Sequence, residues 1–343
     1  MPLLHAGGEI LTCDAWQAMV MLLDADEAIR IVGRLAAKPR ERDEWAQRAL
    51  RHALHIDDAA VPHAPYVVRR ALLPGIGGVA FASVGGVELG SADPALRDEV
   101  LQALRSAAQV SVRDEVTRAR LLEGGVDVVL APDPVTMISS LFGEGIGSRE
   151  TTSIEVARVR DAFPDGWLSV QFGADFGDDE TLATIAAELD GVGRDTALGF
   201  ALFRAGAAPW HDTLDVLERI AARMSAPTLV FRSLNVWDIC ALIAGSRGFC
   251  GSSLHGRIVA SAFGIARVNV SHPSTSDDTT KQHAYAATWE SATQPGVVSV
   301  QAIGEGIRAA LSVDSRSRED DARALAVRFR ESFESLRKSL QRR

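Results

Sequence analysis

Cysteine is scarce in this 343-residue chain: Cys13, Cys240 and Cys250 stand far apart and form no CxxC pattern. That spacing gives neither a disulfide framework nor a thiolate zinc site, so no metal is expected and a reducing, cytoplasmic setting is. Long apolar runs are missing too. The run Ala15–Leu23 is closed at both ends by Asp14 and Asp24 and is too short for a bilayer, and the first residues lack the basic start and apolar core of a signal peptide. Positive charge is in deficit, with 36 Lys and Arg against 45 Asp and Glu and a formal net charge of -9. A general binder of nucleic acid or anionic membrane is thereby excluded, and an anionic ligand would need a specific site. Lys281 is the only lysine between Lys38 and Lys338. No repeat, low-complexity tract or coiled coil is present.

The chain is longer than one core usually grows, and with 47% apolar residues it can fill two. Strand-like and helix-like stretches alternate. Gly78–Val84, Gln109–Val112 and Val126–Leu130 read as strands in the first half, and Trp167–Phe172, Ala197–Phe203 and Thr228–Phe231 in the second. Helical patterns lie between them, so an α/β fold of mostly parallel sheet is expected. Phe142–Glu150, FGEGIGSRE, carries three glycines without apolar periodicity and is the expected linker. The domains are therefore expected at 1–145 and 151–315. A closing helix at 316–343, with Leu325, Phe329, Phe333, Leu336 and Leu340 on one stripe, should pack along the body.

One stretch concentrates groups suited to an anion. Gly248–Val270, GFCGSSLHGRIVASAFGIARVNV, reads as strand, tight loop, helix and second strand. Ser252 or Ser253 is a natural N-cap, and the N–H groups that follow have no partner inside the helix. With the helix dipole they favour negative charge. His255 and Arg257 fall in the same first turn. The same letters also describe an ordinary capped helix with an incidental histidine. Elsewhere, Arg113–Asp114 follows a strand, where open α/β sheets place ligands. His211 and Arg232 lie near strand ends, and Lys281 adjoins a polar Ser271–Gln282 loop expected near a site. For Arg113 a structural salt bridge is the competing reading; for His211 it is an exposed residue beside an Asp212 cap.

SVRDEVTRARLLEGG (Ser111–Gly125), LAPDP (Leu130–Pro134) and GSSLHGRIVASAFG (Gly251–Gly264) together resemble the polysaccharide pyruvyl transferase family, in the same order and at similar separations. The resemblance implies two Rossmann-like domains similar to GT-B glycosyltransferases, with the site in the cleft between them. It also implies transfer of pyruvate from phosphoenolpyruvate to hydroxyls of a glycan or lipid-linked sugar, as a ketal, without a further cofactor. Ketal formation needs a proton for the methylene carbon, stabilisation of an oxocarbenium-like C2, a base for the attacking hydroxyl and a cradle for carboxylate and phosphate. His255 is then the expected acid/base and Arg113 the expected catalytic clamp. Ser252, Ser253, Arg257, His211, Arg232 and Lys281 become substrate-binding candidates.

Two departures matter. Many relatives have arginine where this chain has Ser253, and the strand–helix units that the family carries ahead of the Gly7-Gly8-Glu9 region do not appear here. The first domain is accordingly expected to be shortened, with a homodimer as one means of covering its sheet edge. Two other readings stay open: a nucleotide-sugar glycosyltransferase of GT-B type, and a non-catalytic binding or assembly subunit.

Overall fold

The structure, a computed structural model, describes residues 1–56, 61–68, 75–208, 210–275 and 280–341. The chain divides into two compact units, Met1–Pro134 with Arg328–Arg343, and Val135–Val327.

The first unit is built on four parallel strands in sequential order, β1 (Leu3–Ala6), β2 (Val79–Val84), β3 (Gln109–Val112) and β4 (Val129–Leu130). Between β1 and β2 come α1 (Ala15–Val20), α2 (Ala25–Leu35) and α3 (Pro39–Leu54); α4 (Pro94–Arg105) and α5 (Glu115–Glu123) connect the later strands. Local chemistry explains the helix starts. Asp14, Asp24, Asp93 and Asp114 each accept a first-turn N–H, and each such cap contributes about 1 kcal/mol. The apolar run forms a helix only as far as Val20, and a turn through Leu23 leads to the Asp24 cap of α2. Pro39 opens α3 at its first turn, where a missing N–H costs nothing. Every residue of β2 is buried, and Phe81, Val84, Val100, Val112 and Leu121 pack about it.

The second unit carries six parallel strands: β5 (Trp167–Gln171), β6 (Gly199–Leu202), β7 (Thr228–Val230), β8 (Gly248–Gly251), β9 (Ala266–Val270) and β10 (Val297–Val298). Their spatial order is β10-β9-β8-β5-β6-β7. The helices are α6 (Ile138–Thr152), α7 (Ile154–Ala162), α8 (Asp179–Thr196), α9 (Leu214–Ala221), α10 (Val236–Ala244), α11 (Leu254–Ala262), α12 (Lys281–Trp289), α13 (Ile303–Ser312) and α14 (Ser315–Gln341). Alternation along the strands feeds two cores. Leu168, Val170, Phe200, Leu202, Cys250 and Val268 meet Leu182, Leu217 and Ile307 from α8, α9 and α13. Trp167, Ala201 and Phe249 meet Ile146, Val156, Leu242 and Val259 from α6, α7, α10 and α11. Helices thus cover both faces of the sheet.

The expected linker is not one. Residues 142–150 lie inside α6, and the division between units falls ahead of that helix, at Pro134/Val135. Three helical glycines cost about 1 kcal/mol each. Burial of Ile146 and the Arg149–Asp238 ion pair at 2.7 Å, which ties α6 to α10, offset that cost. The closing helix runs from Ser315 to Gln341, close to the expected span, and its residues divide between the two units at Val327/Arg328. In the first unit Leu336 packs on Ala80 and Ala82, and Ser339 Oγ donates to Gln109 Oε1 at 2.7 Å. Within the polar Ser271–Gln282 stretch, residues 276–279 lie outside the described residues. Among the described residues no helix is long and apolar enough to cross a membrane.

Gly251 has no tolerance for a side chain, because an added Cβ would stand 2.0 Å from the Gln171 backbone carbonyl oxygen. Gly33, in α2, would meet nothing within 4 Å. Gly251→Ala is expected to lower stability by about 3 kcal/mol or more, and Gly33→Ala to raise it by about 0.5–1 kcal/mol, both read by thermal or urea unfolding.

Candidate active site

In the second unit the chain leaves β5 toward β6 and β7, and returns through β8 on the other side toward β9 and β10. The order reverses between β5 and β8, and the crevice beyond the carboxyl ends of such a pair is where open α/β sheets bind ligands. The residues that emerge there are Gln171-Phe172-Gly173 and Gly251-Ser252-Ser253. The Gly248–Val270 stretch therefore passes through the switch point.

Ser253 is the N-cap of α11, its Oγ accepting the Gly256 N–H at 3.1 Å. Protein donors take up the carbonyls beside it. Asn269 Nδ2 donates to the Gly251 oxygen at 2.6 Å and the Ser253 oxygen at 3.2 Å, and Gln282 Nε2 donates to the Ser252 oxygen at 2.6 Å. The Ser253 and Leu254 N–H groups, by contrast, donate to none of the described residues. What the loop offers outward is donor character at the positive end of a helix dipole. His255 is exposed in that first turn.

Arg257 departs from the expectation of a substrate contact. It is 0% exposed, and its five N–H donors go to both Glu290 carboxylate oxygens, to Asn269 Oδ1 at 3.5 Å and to the carbonyls of Gly296 and Pro295 at 2.9 and 2.8 Å. No donor is left for a ligand. Arg267 completes the cluster by donating to Glu290 Oε1 at 3.0 Å. Burial pushes the Glu290 carboxyl up, but the two guanidiniums outweigh it and hold the group below the usual carboxylate range. Glu290 follows α12 directly, so the cluster ties the end of that helix to α11. At the other end of α12, Gln282 holds Ser252, and the exposed Lys281 stands beside it.

His211 is joined to the same place through Asp212. The cap of α9 is Thr213, which leaves the buried Asp212 to accept from Gln171 Nε2 at 3.1 Å. Gln171 Oε1 in turn accepts from Ser252 Oγ at 3.4 Å, and Ser252 Oγ accepts the Gly173 N–H at 3.3 Å. Burial raises the Asp212 pKa, against the opposing pull of His211, Gln171, the Ala205 backbone and Arg204. His211 itself is exposed, and its carbonyl accepts the Ala174 N–H at 2.7 Å. Arg232 stands apart: it follows β7 at the sheet edge, where its guanidinium pairs with Glu218 at 2.7 Å.

The first unit assembles a different cluster at the carboxyl ends of its strands. Arg113, after β3, is 2% exposed and donates to Asp133 Oδ2 at 3.0 Å and Glu9 Oε2 at 2.5 Å. Burial lowers its pKa, but the two carboxylates outweigh burial and raise it overall. The salt-bridge reading of Arg113 describes what the structure holds. Glu9 also accepts the Val87 N–H at 2.8 Å, and a Cβ on Gly85 would stand 2.3 Å from its Oε2. Asp114 accepts from the Thr117 N–H and hydroxyl at 2.7 and 3.0 Å and caps α5; burial raises its pKa while those bonds oppose the rise. Three carboxylates face one guanidinium here, so this end of the sheet is acidic and suits neutral hydroxyls better than an anion.

Glu9, Gln171, Asp212 and Glu290 are absent from the residues expected of the sequence. Glu9 had a signal, the Gly-Gly-Glu turn after a strand. For Gln171 the position at a strand end was the only one, and Glu290 had none. Among the described residues no group of three or more His, Cys, Asp or Glu side chains is arranged to hold a metal ion.

Residues 86–274, more than half of the chain, match the family model for polysaccharide pyruvyl transferase. No curated protein sequence matches the chain. Among solved structures it is similar to the S. aureus MnaA–UDP co-structure, at 10% identity over 94% of this chain and 90% of that one, with a TM-score of 0.53. It is also similar to UDP-GlcNAc 2-epimerase from Neisseria meningitidis, at 12% identity over 98% and 100% of the chains and a TM-score of 0.50. A UDP-forming trehalose-phosphate synthase from Burkholderia xenovorans gives 14% identity over 88% and 79%, with a TM-score of 0.51. The shared feature is the α/β fold of GT-B type enzymes.

The Arg257–Glu290–Arg267 cluster generates a pH-dependent expectation. Arg257→Met leaves Glu290 with one partner and should cost about 3–5 kcal/mol at neutral pH. A carboxyl with a lowered folded pKa contributes stability above its unfolded pKa and loses it as pH falls through the folded value. The variant's Glu290 is protonated at higher pH than the wild type's, so the gap between the two unfolding curves should narrow as pH falls through the carboxylate range.

Proposed function

The chain belongs to the polysaccharide pyruvyl transferase family, and from that premise we propose that it transfers pyruvate from phosphoenolpyruvate to two hydroxyls of a sugar, releasing inorganic phosphate and leaving a ketal. The observation that carries this reading is the Ser253-capped N-terminus of α11 at the β5–β8 switch point, with exposed His255 in its first turn.

The proposed chemistry balances without a redox partner. A proton adds to the methylene carbon, C2 becomes oxocarbenium-like, one sugar hydroxyl attacks C2 and loses its proton, the C2–O bond breaks with its electron pair leaving on phosphate, and the second hydroxyl attacks C2 and gives its proton to the released phosphate, closing the ketal. The Ser253 and Leu254 N–H groups and the helix dipole supply the cradle for phosphate or carboxylate. Lys281, exposed beside Gln282 at the head of α12, supplies a positive charge. His255 is the acid/base group, its ordinary pKa being suited to proton transfer near neutrality. His211 is a further contact from the β6–α9 connection. Arg257 and Arg113 act through other residues: the first anchors α12 to α11, and the second holds Glu9 and Asp133 in place.

Calorimetric titration should show phosphoenolpyruvate binding to the wild type and to His255→Ala, with phosphate release in the presence of hexopyranosides slowed at least ~100-fold in the variant. Binding of nucleotide sugars without binding of phosphoenolpyruvate would replace this reading by a glycosyltransferase one.

A further inference from the structure

The hydrogen bonds around Ser252 have a direction, and the direction limits what the residue can recognise. Asp212 as a carboxylate can only accept, so the Gln171 group 3.1 Å from its Oδ1 must be the NH2. The amide oxygen then faces Ser252 Oγ at 3.4 Å, and a carbonyl oxygen can only accept as well. The single hydroxyl proton of Ser252 is therefore committed to Gln171. One Ser252 lone pair is taken by the Gly173 N–H at 3.3 Å. A second lone pair is what remains for a ligand. Reversing the Gln171 amide would set its oxygen against the Asp212 carboxylate, so the order is held from the buried end.

We propose that Gln171, oriented by Asp212, is a positioning residue that makes Ser252 Oγ a hydrogen-bond acceptor toward the ligand, so that this position selects a hydroxyl of the sugar and not an oxygen of phosphate or carboxylate. The inference rests on the reading of this site as one for pyruvyl transfer, and it divides the loop by polarity. Ser252 addresses the donor group of the sugar, and the N–H groups of Ser253 and Leu254 address the anion. Ser252 thus leaves the anion cradle in which the sequence had set it.

Protonation of Asp212 would permit the reverse order. The carboxylic O–H could donate to Gln171 Oε1, the amide NH2 could donate to Ser252 Oγ, and the Ser252 proton would be released toward the ligand. The groups acting on Asp212 are His211, Gln171, Arg204 and the Ala205 backbone, and burial favours the neutral form. As pH falls through the Asp212 titration, Ser252 changes from acceptor to donor.

Two measurements on the full chain test this. With 15N-glutamine labelling, the side-chain NH2 resonance of Gln171, identified by its loss in Gln171→Glu, should shift with one carboxylate titration, and Asp212→Asn should abolish that shift. A Gln171 signal that ignores pH, or that titrates equally in Asp212→Asn, overturns the proposal. In the second measurement, Ser252→Ala should bind inorganic phosphate within about twofold of wild type while the KM for a hexopyranoside rises about five- to tenfold, the loss of one hydrogen bond. A tenfold weaker phosphate affinity overturns the proposal. If phosphoenolpyruvate releases no phosphate in any form of the protein, the pyruvyl transfer reading fails by itself, and the NMR and phosphate titrations still decide the polarity of Ser252.

Discussion

Everything proposed for the second unit depends on how closely β8 approaches β5. Gly251 lies against the Gln171 backbone so tightly that a side chain would occupy the position of the neighbouring carbonyl group. The Ser252 N–H then reaches the Gln171 oxygen at 3.0 Å, and the Ser252 hydroxyl reaches the Gln171 amide. The helix α11 starts two residues later. Because the two strands meet this closely at the reversal of strand order, a cap, a donor-rich loop and a polar relay occupy the same few ångströms.

The buried arginines show a second constraint. A guanidinium without water needs acceptors for its donors and an opposite charge nearby, or its desolvation is uncompensated. Arg257 finds an acceptor for every donor in Glu290 and three oxygens contributed by Asn269, Pro295 and Gly296, and Arg113 finds its opposite charge in Glu9 and Asp133. Both lie in the motifs that carry the family resemblance, yet their charge is spent on structure. Arg257 connects α11 with the chain after α12, and so steadies the helix that carries Gln282 and Lys281. The positive potential for an anion must come from backbone N–H groups, the dipole and residues that stay exposed.

The two sheet ends differ in charge for a reason visible residue by residue. In the second unit the carbonyls after β8 are bonded to Asn269 and Gln282, which leaves N–H groups outward. In the first unit Glu9, Asp114 and Asp133 follow β1, β3 and β4, with Arg113 the only cation among them.

Much of this was legible in the sequence because it is governed by neighbours in the chain. Strand–helix alternation, the capped helix after Gly251, the place of His255 in its first turn and the closing helix follow from periodicity and cap chemistry, which act over a few residues. The stretch 142–150 misled because glycine propensity is weak beside the burial of Ile146 and the pairing of Arg149 with Asp238, which lie far apart in sequence from what they contact. The same distance hid the partners of the arginines: Glu290 is 33 residues from Arg257, and Glu9 is 104 from Arg113. The sequence by itself determined most of the elements, the family and the capped loop after β8. The tertiary structure alone decided which charges are consumed in the interior and which way the Ser252 proton points, because burial and hydrogen-bond direction depend on groups brought together only by the fold.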